Sequence, residues 1–206
     1  MVNIGLLVVA YLVGSIPFGL LLGKLMGVDV RRAGSGNIGA TNVLRLLGKK
    51  LGVVTLLADT LKAIVPMLLA KWVISSTAVS ASVDLWVALC GASAFLGHLF
   101  PVYLKFKGGK GVATALGIFL LLEPWAVLIG LAIFISVVLY WGYVSIGSLA
   151  AAACMPLLVW LLSGSSLYTS LAVFIGLLIW LKHHDNIVRL LKGEEKSWKD
   201  RENNPL

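Results

Sequence analysis

Val112-Ala113-Thr114-Ala115-Leu116-Gly117-Ile118-Phe119-Leu120-Leu121-Leu122, closed by Glu123-Pro124, is the stretch on which the fold turns. It is apolar or small throughout and so belongs in hydrocarbon, but a helix that crosses a bilayer needs about 20 such residues. Counted as a crossing, it is one of seven apolar segments; counted as re-entrant, it leaves six and sends everything after it to the opposite side. Toward the N-terminus the other apolar runs are Val2 to Met26, Leu51 to Ile74 and Leu85 to Leu104. Toward the C-terminus they are Trp125 to Tyr140, Val144 to Leu162 and Leu167 to Leu181. Composition agrees with this picture, since 59% of the 206 residues are apolar and 13% are charged, where soluble proteins average roughly 25% charged. The expectation is one all-α membrane domain over residues 1–206, a polytopic helix bundle. A nucleic-acid module, a disulfide scaffold and a disordered tail are excluded. Cys90 and Cys154 fall inside apolar runs, so no disulfide is predicted. The first run has no basic residues ahead of it and no small-residue cleavage site, and reads as a retained helix rather than a signal peptide.

The net charge of +8 decides between six and seven. Lys24, Arg31, Arg32, Arg45, Lys49 and Lys50 lie in or beside the polar segment 27–50, and Lys105, Lys107 and Lys110 lie in the segment 105–111. Lys182, Arg189, Lys192, Lys196, Lys199 and Arg201 lie in the tail 182–206. With seven crossings all three groups share one face, whereas six would put the tail opposite. Basic loops mark the cytoplasmic side. About seven transmembrane helices are therefore predicted, with the N-terminus outside and the C-terminus cytoplasmic. Trp72, Trp86, Trp125, Trp141 and Trp180 fall near segment ends, where interfacial aromatics belong.

Three polar segments on that face could carry chemistry. Gly34-Ser35-Gly36-Asn37-Ile38-Gly39-Ala40-Thr41-Asn42, with Arg45 one turn on, combines glycines, hydroxyls, amides and a cation. This composition suits an anion cradle built from backbone N–H groups, and equally a turn in which Asn and Gly supply positive φ. Gly97-His98-Leu99-Phe100-Pro101 leads to Lys105-Phe106-Lys107-Gly108-Gly109-Lys110-Gly111-Val112-Ala113-Thr114. Here glycines flank a lysine directly ahead of a helix start, which favours a phosphate group. It is not a Walker A loop, because Gly111 follows Lys110 where Ser or Thr is required. In Lys182-His183-His184-Asp185-Asn186-Ile187-Val188-Arg189-Leu190, a helix would align His183, Asn186 and Arg189 on one face. Taken alone, that segment also fits a juxtamembrane polar helix with interfacial histidines.

Other chemistries find no residues. The three histidines and two cysteines form no zinc-type spacing, and Asp29 is the single carboxylate of the first two polar segments, so no metal or other cofactor is expected. No His-x-x-x-x-Asp spacing of the kind used by many acyltransferases occurs. Asp59 and Lys62, three apart within an apolar run, read as a buried ion pair.

The three segments, in this order and spacing, resemble the signature motifs of the bacterial acyl-phosphate:glycerol-3-phosphate acyltransferases, the PlsY family; Gly14-Ser15-Ile16-Pro17 matches as well. The resemblance covers nearly the whole chain. It implies a seven-helix enzyme of the bacterial inner membrane, working at the cytoplasmic face. Such an enzyme would acylate the sn-1 hydroxyl of glycerol 3-phosphate from acyl phosphate, giving lysophosphatidic acid and phosphate. By the same resemblance Lys110, Ser35 and His183 would be catalytic, and Asn37, Thr41, Asn42, Arg45, Lys107, Gly108, Gly109 and Asn186 would bind substrate. The partners implied are glycerol 3-phosphate, acyl phosphate and membrane lipid, with no nucleic acid. The basic tail is also a candidate docking surface for an enzyme that makes acyl phosphate. From a different class, an anion transporter with a re-entrant Gly-Lys loop would fit the charge, but would place its site near midplane between repeats, and no internal repeat is visible.

Overall fold

The structure, a computed structural model, describes residues 2–76 and 82–198. Part of the predicted turn between the second and third runs, and Lys199 and Arg201 of the tail, lie outside these. Every regular element among the described residues is helical: α1 (Val2–Gly14), α2 (Phe18–Leu25), α3 (Ala40–Leu47), α4 (Lys49–Ser76), α5 (Val83–Leu99), α6 (Val112–Leu122), α7 (Pro124–Trp141), α8 (Val144–Ser163), α9 (Ser166–Lys182) and α10 (His184–Leu191), with one 3-10 turn at Val102–Leu104. Among the described residues five stretches are long and apolar enough to cross a membrane: Ile4–Leu25, Lys49–Ser76, Val83–Leu104, Pro124–Trp141 and Val144–Ser163. The pair α9 and α10, bent by 54° at His183, makes a sixth if the two helices form one span. The remaining apolar helix, α6, at 1.5 Å per residue spans about 16 Å, roughly half the hydrocarbon thickness.

The chain forms two compact units, Met1–Leu121 and Leu122–Leu206. In the first, α5 packs against α1 and α4, and α3 lies on α4. Lipid supplies no hydrophobic contrast to drive helices together, so close approach of small residues does the work. A Cβ at Gly14 would strike the backbone of Ala94, and one at Gly97 would strike the Tyr11 carbonyl and Ser15 N, which draws α1 and α5 together. A Cβ at Gly117 would strike the Thr60 carbonyl, bringing α6 as close to α4.

The first apolar run is not one helix. Pro17 has no N–H to donate and crowds the preceding turn, so the run breaks between Gly14 and Phe18. The break frees the Ile16 carbonyl, and Lys62 Nζ donates to it at 3.0 Å. Lys62 in turn lies 2.8 Å from Asp59, with both side chains almost fully buried. The predicted ion pair thus holds a broken helix. The polar segment 27–50 also contains a helix of its own: α3 buries Val43 against Leu20, Val30 and Ile38, with Leu46 and Leu47 packed alongside. The third run ends as helix at Leu99, ahead of Pro101, rather than at Leu104.

In the second unit α8 packs between α7 and α9. Gly142 (φ 82°) ends α7 in the left-handed region that glycine adopts without steric cost, and its N–H closes on the Val138 carbonyl. The Trp180 indole N–H donates to the Leu149 carbonyl at 3.2 Å, joining α9 to α8.

Candidate active site

In the first unit the segment before α3 is wound around Asn42, which is 1% exposed. Its Oδ1 accepts the Ser35 N–H at 2.8 Å. Its Nδ2 donates to the carbonyls of Val30 at 2.8 Å, Ala33 at 3.2 Å and Asn37 at 2.8 Å. This side chain, expected to bind substrate, is committed to the loop and shapes it. Asn37 Oδ1 accepts the Gly39 N–H at 2.9 Å, a local turn of the kind Asn favours. Gly34 (φ 64°) lies so close to Asn42 that a Cβ there would meet its Oδ1. The result presents Ser35 and Thr41 outward and Asn37 half-buried at the start of α3, where orphan N–H groups and the dipole favour an anion, with Arg45 half-buried in the last turn of the same helix. Asp29 takes no part: the Arg31 guanidinium, at 2.6 Å, and the Arg31 N–H hold its carboxyl well below the ordinary carboxylate range.

The glycine-lysine segment is pressed onto the end of α5. The Gly109 N–H donates to the His98 carbonyl at 3.1 Å. A Cβ at Gly109 would strike the His98 imidazole, one at Gly108 the His98 carbonyl and Pro101, and one at Gly111 (φ 87°) the Phe95 ring. The glycines are therefore required for packing, and the Gly109 N–H is taken. Lys107 stands exposed and Lys110 half-buried, so the cationic side chains are what this segment offers an anion.

In the second unit the predicted single helix over the third segment is broken at His183, the C-cap of α9 and N-cap of α10. His183 is 2% exposed, and its Nδ1 lies 2.8 Å from the Ile179 carbonyl. A carbonyl only accepts, so this contact assigns the ring proton to Nδ1 and leaves Nε2 basic in the neutral imidazole. His184 is exposed. Asn186 and Arg189 converge on a residue that the sequence pattern did not single out, Glu195. Its Oε1 accepts from Asn186 Nδ2 at 2.6 Å and from Ser145 Oγ at 2.8 Å, while its Oε2 accepts from Arg189 Nε at 2.7 Å. Burial alone would raise the Glu195 pKa; hydrogen bonds from Asn186, Ser145 and Arg189, with the charge of Arg189, outweigh it and hold the carboxyl below its ordinary value.

The glycerol-3-phosphate acyltransferase family profile matches residues 4–193, nearly the whole chain. The chain belongs to the glycerol-3-phosphate acyltransferase family. It is 56% identical over 191 residues to the glycerol-3-phosphate acyltransferase of Desulfotalea psychrophila, covering 93% of this chain and 95% of that one. With its counterpart from Syntrophotalea carbinolica it shares 52% over 195 residues, covering 94% and 96%. Among solved structures it matches PlsY (YgiH), an integral membrane glycerol 3-phosphate acyltransferase, in its glycerol 3-phosphate form, with a TM-score of 0.86 and 39% identity over 96% of each chain. The lysophosphatidic acid form of PlsY matches at 0.84 and 38%, covering 96% of this chain and 95% of that one. This chain is accordingly a multi-pass integral membrane member of the glycerol-3-phosphate acyltransferase family, as its motifs and apolar helices foretold. Within this member, Ser145 and Glu195 are the polar residues that motif reading missed. Ser145 sits in an apolar run, and Glu195 sits in a charged tail where nothing in the local pattern marks it.

Proposed function

We propose that the chain transfers a fatty acyl group from acyl phosphate to the sn-1 hydroxyl of glycerol 3-phosphate, yielding lysophosphatidic acid and inorganic phosphate. The observation that carries this reading is the likeness, over 96% of the chain, to a protein solved in forms named for the acceptor and for its acylated product. Acyl phosphate as donor fits the side chains at hand. It is a mixed anhydride, already activated, so no covalent enzyme intermediate is needed.

The glycerol oxygen bonds to the acyl carbonyl carbon, and the bond from that carbon to the phosphate oxygen breaks. Phosphate departs with the electron pair, and the hydroxyl proton passes to a base. Lys110 and Lys107 stabilise the phosphate and the developing oxyanion. Ser35, Asn37 and Thr41 at the start of α3, on a loop backbone that Asn42 holds in place, and Arg45 in the last turn of that helix meet substrate. In the second unit His183 and Asn186 serve glycerol 3-phosphate. The base is His183 Nε2 or the phosphate of the substrate itself. Replacing His183 by Ala separates the two, because near-normal turnover at saturating substrate excludes the imidazole.

In this reading the protein lies in the bacterial inner membrane with all three motifs toward the cytoplasm, where both substrates carry their phosphates. The deciding assay gives purified protein acyl phosphate and labelled glycerol 3-phosphate. Lysophosphatidic acid and phosphate should appear in equal amounts. Product made from an acyl thioester but not from acyl phosphate would overturn the donor assignment, and no product from either would overturn the reaction.

A further inference from the structure

The first unit holds a buried polar cluster that the reaction just described does not use. Asp59 and Lys62 pair within α4, Lys62 donates to the Ile16 carbonyl at 3.0 Å, and His98 Nδ1 of α5 lies 3.8 Å from Asp59 Oδ1. All three side chains are almost fully buried. Ionisable groups at such a depth are costly and are kept where they serve function. His98 joins this cluster to the Lys110 segment in two ways: its carbonyl takes the Gly109 N–H at 3.1 Å, and its imidazole fills the space that a side chain at 109 would need. A Gly-Gly backbone is otherwise free to rotate, and a lysine on a flexible stem is no better aimed than the backbone that carries it.

We propose that His98 is a positioning residue for acyl transfer: braced against the Asp59–Lys62 pair, it fixes the Gly108-Gly109-Lys110 backbone and so aims the Lys110 ammonium at the phosphate-bearing substrate. The substrate in this statement rests on the proposed function; the bracing of Lys110 does not. A side chain that merely filled space would act on folding alone, independently of Lys110.

Two readouts on the full chain in detergent or nanodiscs test the proposal. In a double-mutant cycle, His98→Ala should lower kcat/KM for acyl phosphate about tenfold, yet cost less than about threefold once Lys110→Ala is present. His98→Asn, which can place an amide nitrogen near the position of Nδ1, should recover part of the loss, and it carries the cycle if His98→Ala fails to fold. Independent, multiplying losses overturn the proposal. The second readout needs no turnover: acetylation of lysines, followed by mass spectrometry. Lys110 should label severalfold faster in the His98 variant, while the exposed Lys105 and Lys107 keep their rates. Unchanged labelling of Lys110 overturns the proposal even if the protein proves to have another activity. Wild-type protein that makes no lysophosphatidic acid but shows the labelling change would sink the reaction and leave the bracing standing.

Discussion

Single side chains in this protein organise backbone at long range, and their replacement should be correspondingly expensive. Asn42 satisfies three carbonyls and one N–H. Asn42→Asp keeps the shape but removes every donor and sets a carboxylate against those carbonyls. A loss of about 2–4 kcal/mol is expected, seen as faster proteolysis within residues 28–39 and a lower melting temperature. Glu195 is the mirror case, an acceptor serving three donors. Glu195→Gln leaves Asn186, Ser145 and Arg189 with a neutral and partly misdirected partner, for a loss of about 1–3 kcal/mol. The pH dependence has a definite sign. Because the folded pKa of Glu195 lies below its ordinary 4.5, its contribution is complete above that value and disappears as pH falls through the lowered one. Melting temperature should therefore hold steady from neutral pH to about 4.5 and then drop, and Glu195→Gln should flatten that drop. Asn42 is legible in sequence as part of a motif but not as its organiser, since amides bind ligands and loops through the same atoms. Glu195 is not legible at all, because Ser145 precedes it by fifty residues with α9 and α10 in between.

At the scale of elements, the Asp59–Lys62 pair and the break at Pro17 form one device. Removing either partner strands a buried charge, so Asp59→Asn or Lys62→Met should cost about 3–5 kcal/mol. The double variant Asp59→Leu/Lys62→Met should lose less than the sum of the single changes, with the Ile16 carbonyl keeping only the Phe18 N–H as donor and His98 losing its carboxylate neighbour. Melting in detergent measures the difference; strict additivity would show that the charges do not act as a pair. The pairing was legible from the i, i+3 spacing in an apolar run. The break was not, although Gly14-Ser15-Ile16-Pro17 stood out, because proline inside a membrane helix often only bends it, as Pro66 shows by lying within α4. Likewise α3 hid in a polar segment. Its signal was the helical spacing of Val43, Leu46 and Leu47, overshadowed by the charges around it.

For the whole molecule, helical class and membrane residence were plain from composition, because the chain lacks the polar surface to face water. The number of crossings was less plain, since α6 is too short to settle it by length. Its small residues bear on this: Gly117 lets α6 approach the Thr60 backbone of α4 closely, and Thr114 is fully buried, so the helix is built for packing rather than for reaching across lipid. Topology is open to direct measurement. In a background with Cys90 and Cys154 replaced, single cysteines at Lys49, Lys105 and Lys196 should react with a membrane-impermeant reagent from the cytoplasmic side, and one at Gly164 from the opposite side. Labelling of Lys196→Cys from the side opposite Lys49→Cys would reduce the count to six and reverse the tail. The carboxylate of Glu195 has one more consequence, in the order of synthesis. It is made after α10, so Ser145, fifty residues earlier, awaits its acceptor while α8, α9 and α10 are made, and Asn186 and Arg189 await it over the last few residues. Their final placement thus waits on the synthesis of residue 195, and a chain that stops short of it would carry its third motif without the acceptor that Ser145, Asn186 and Arg189 share.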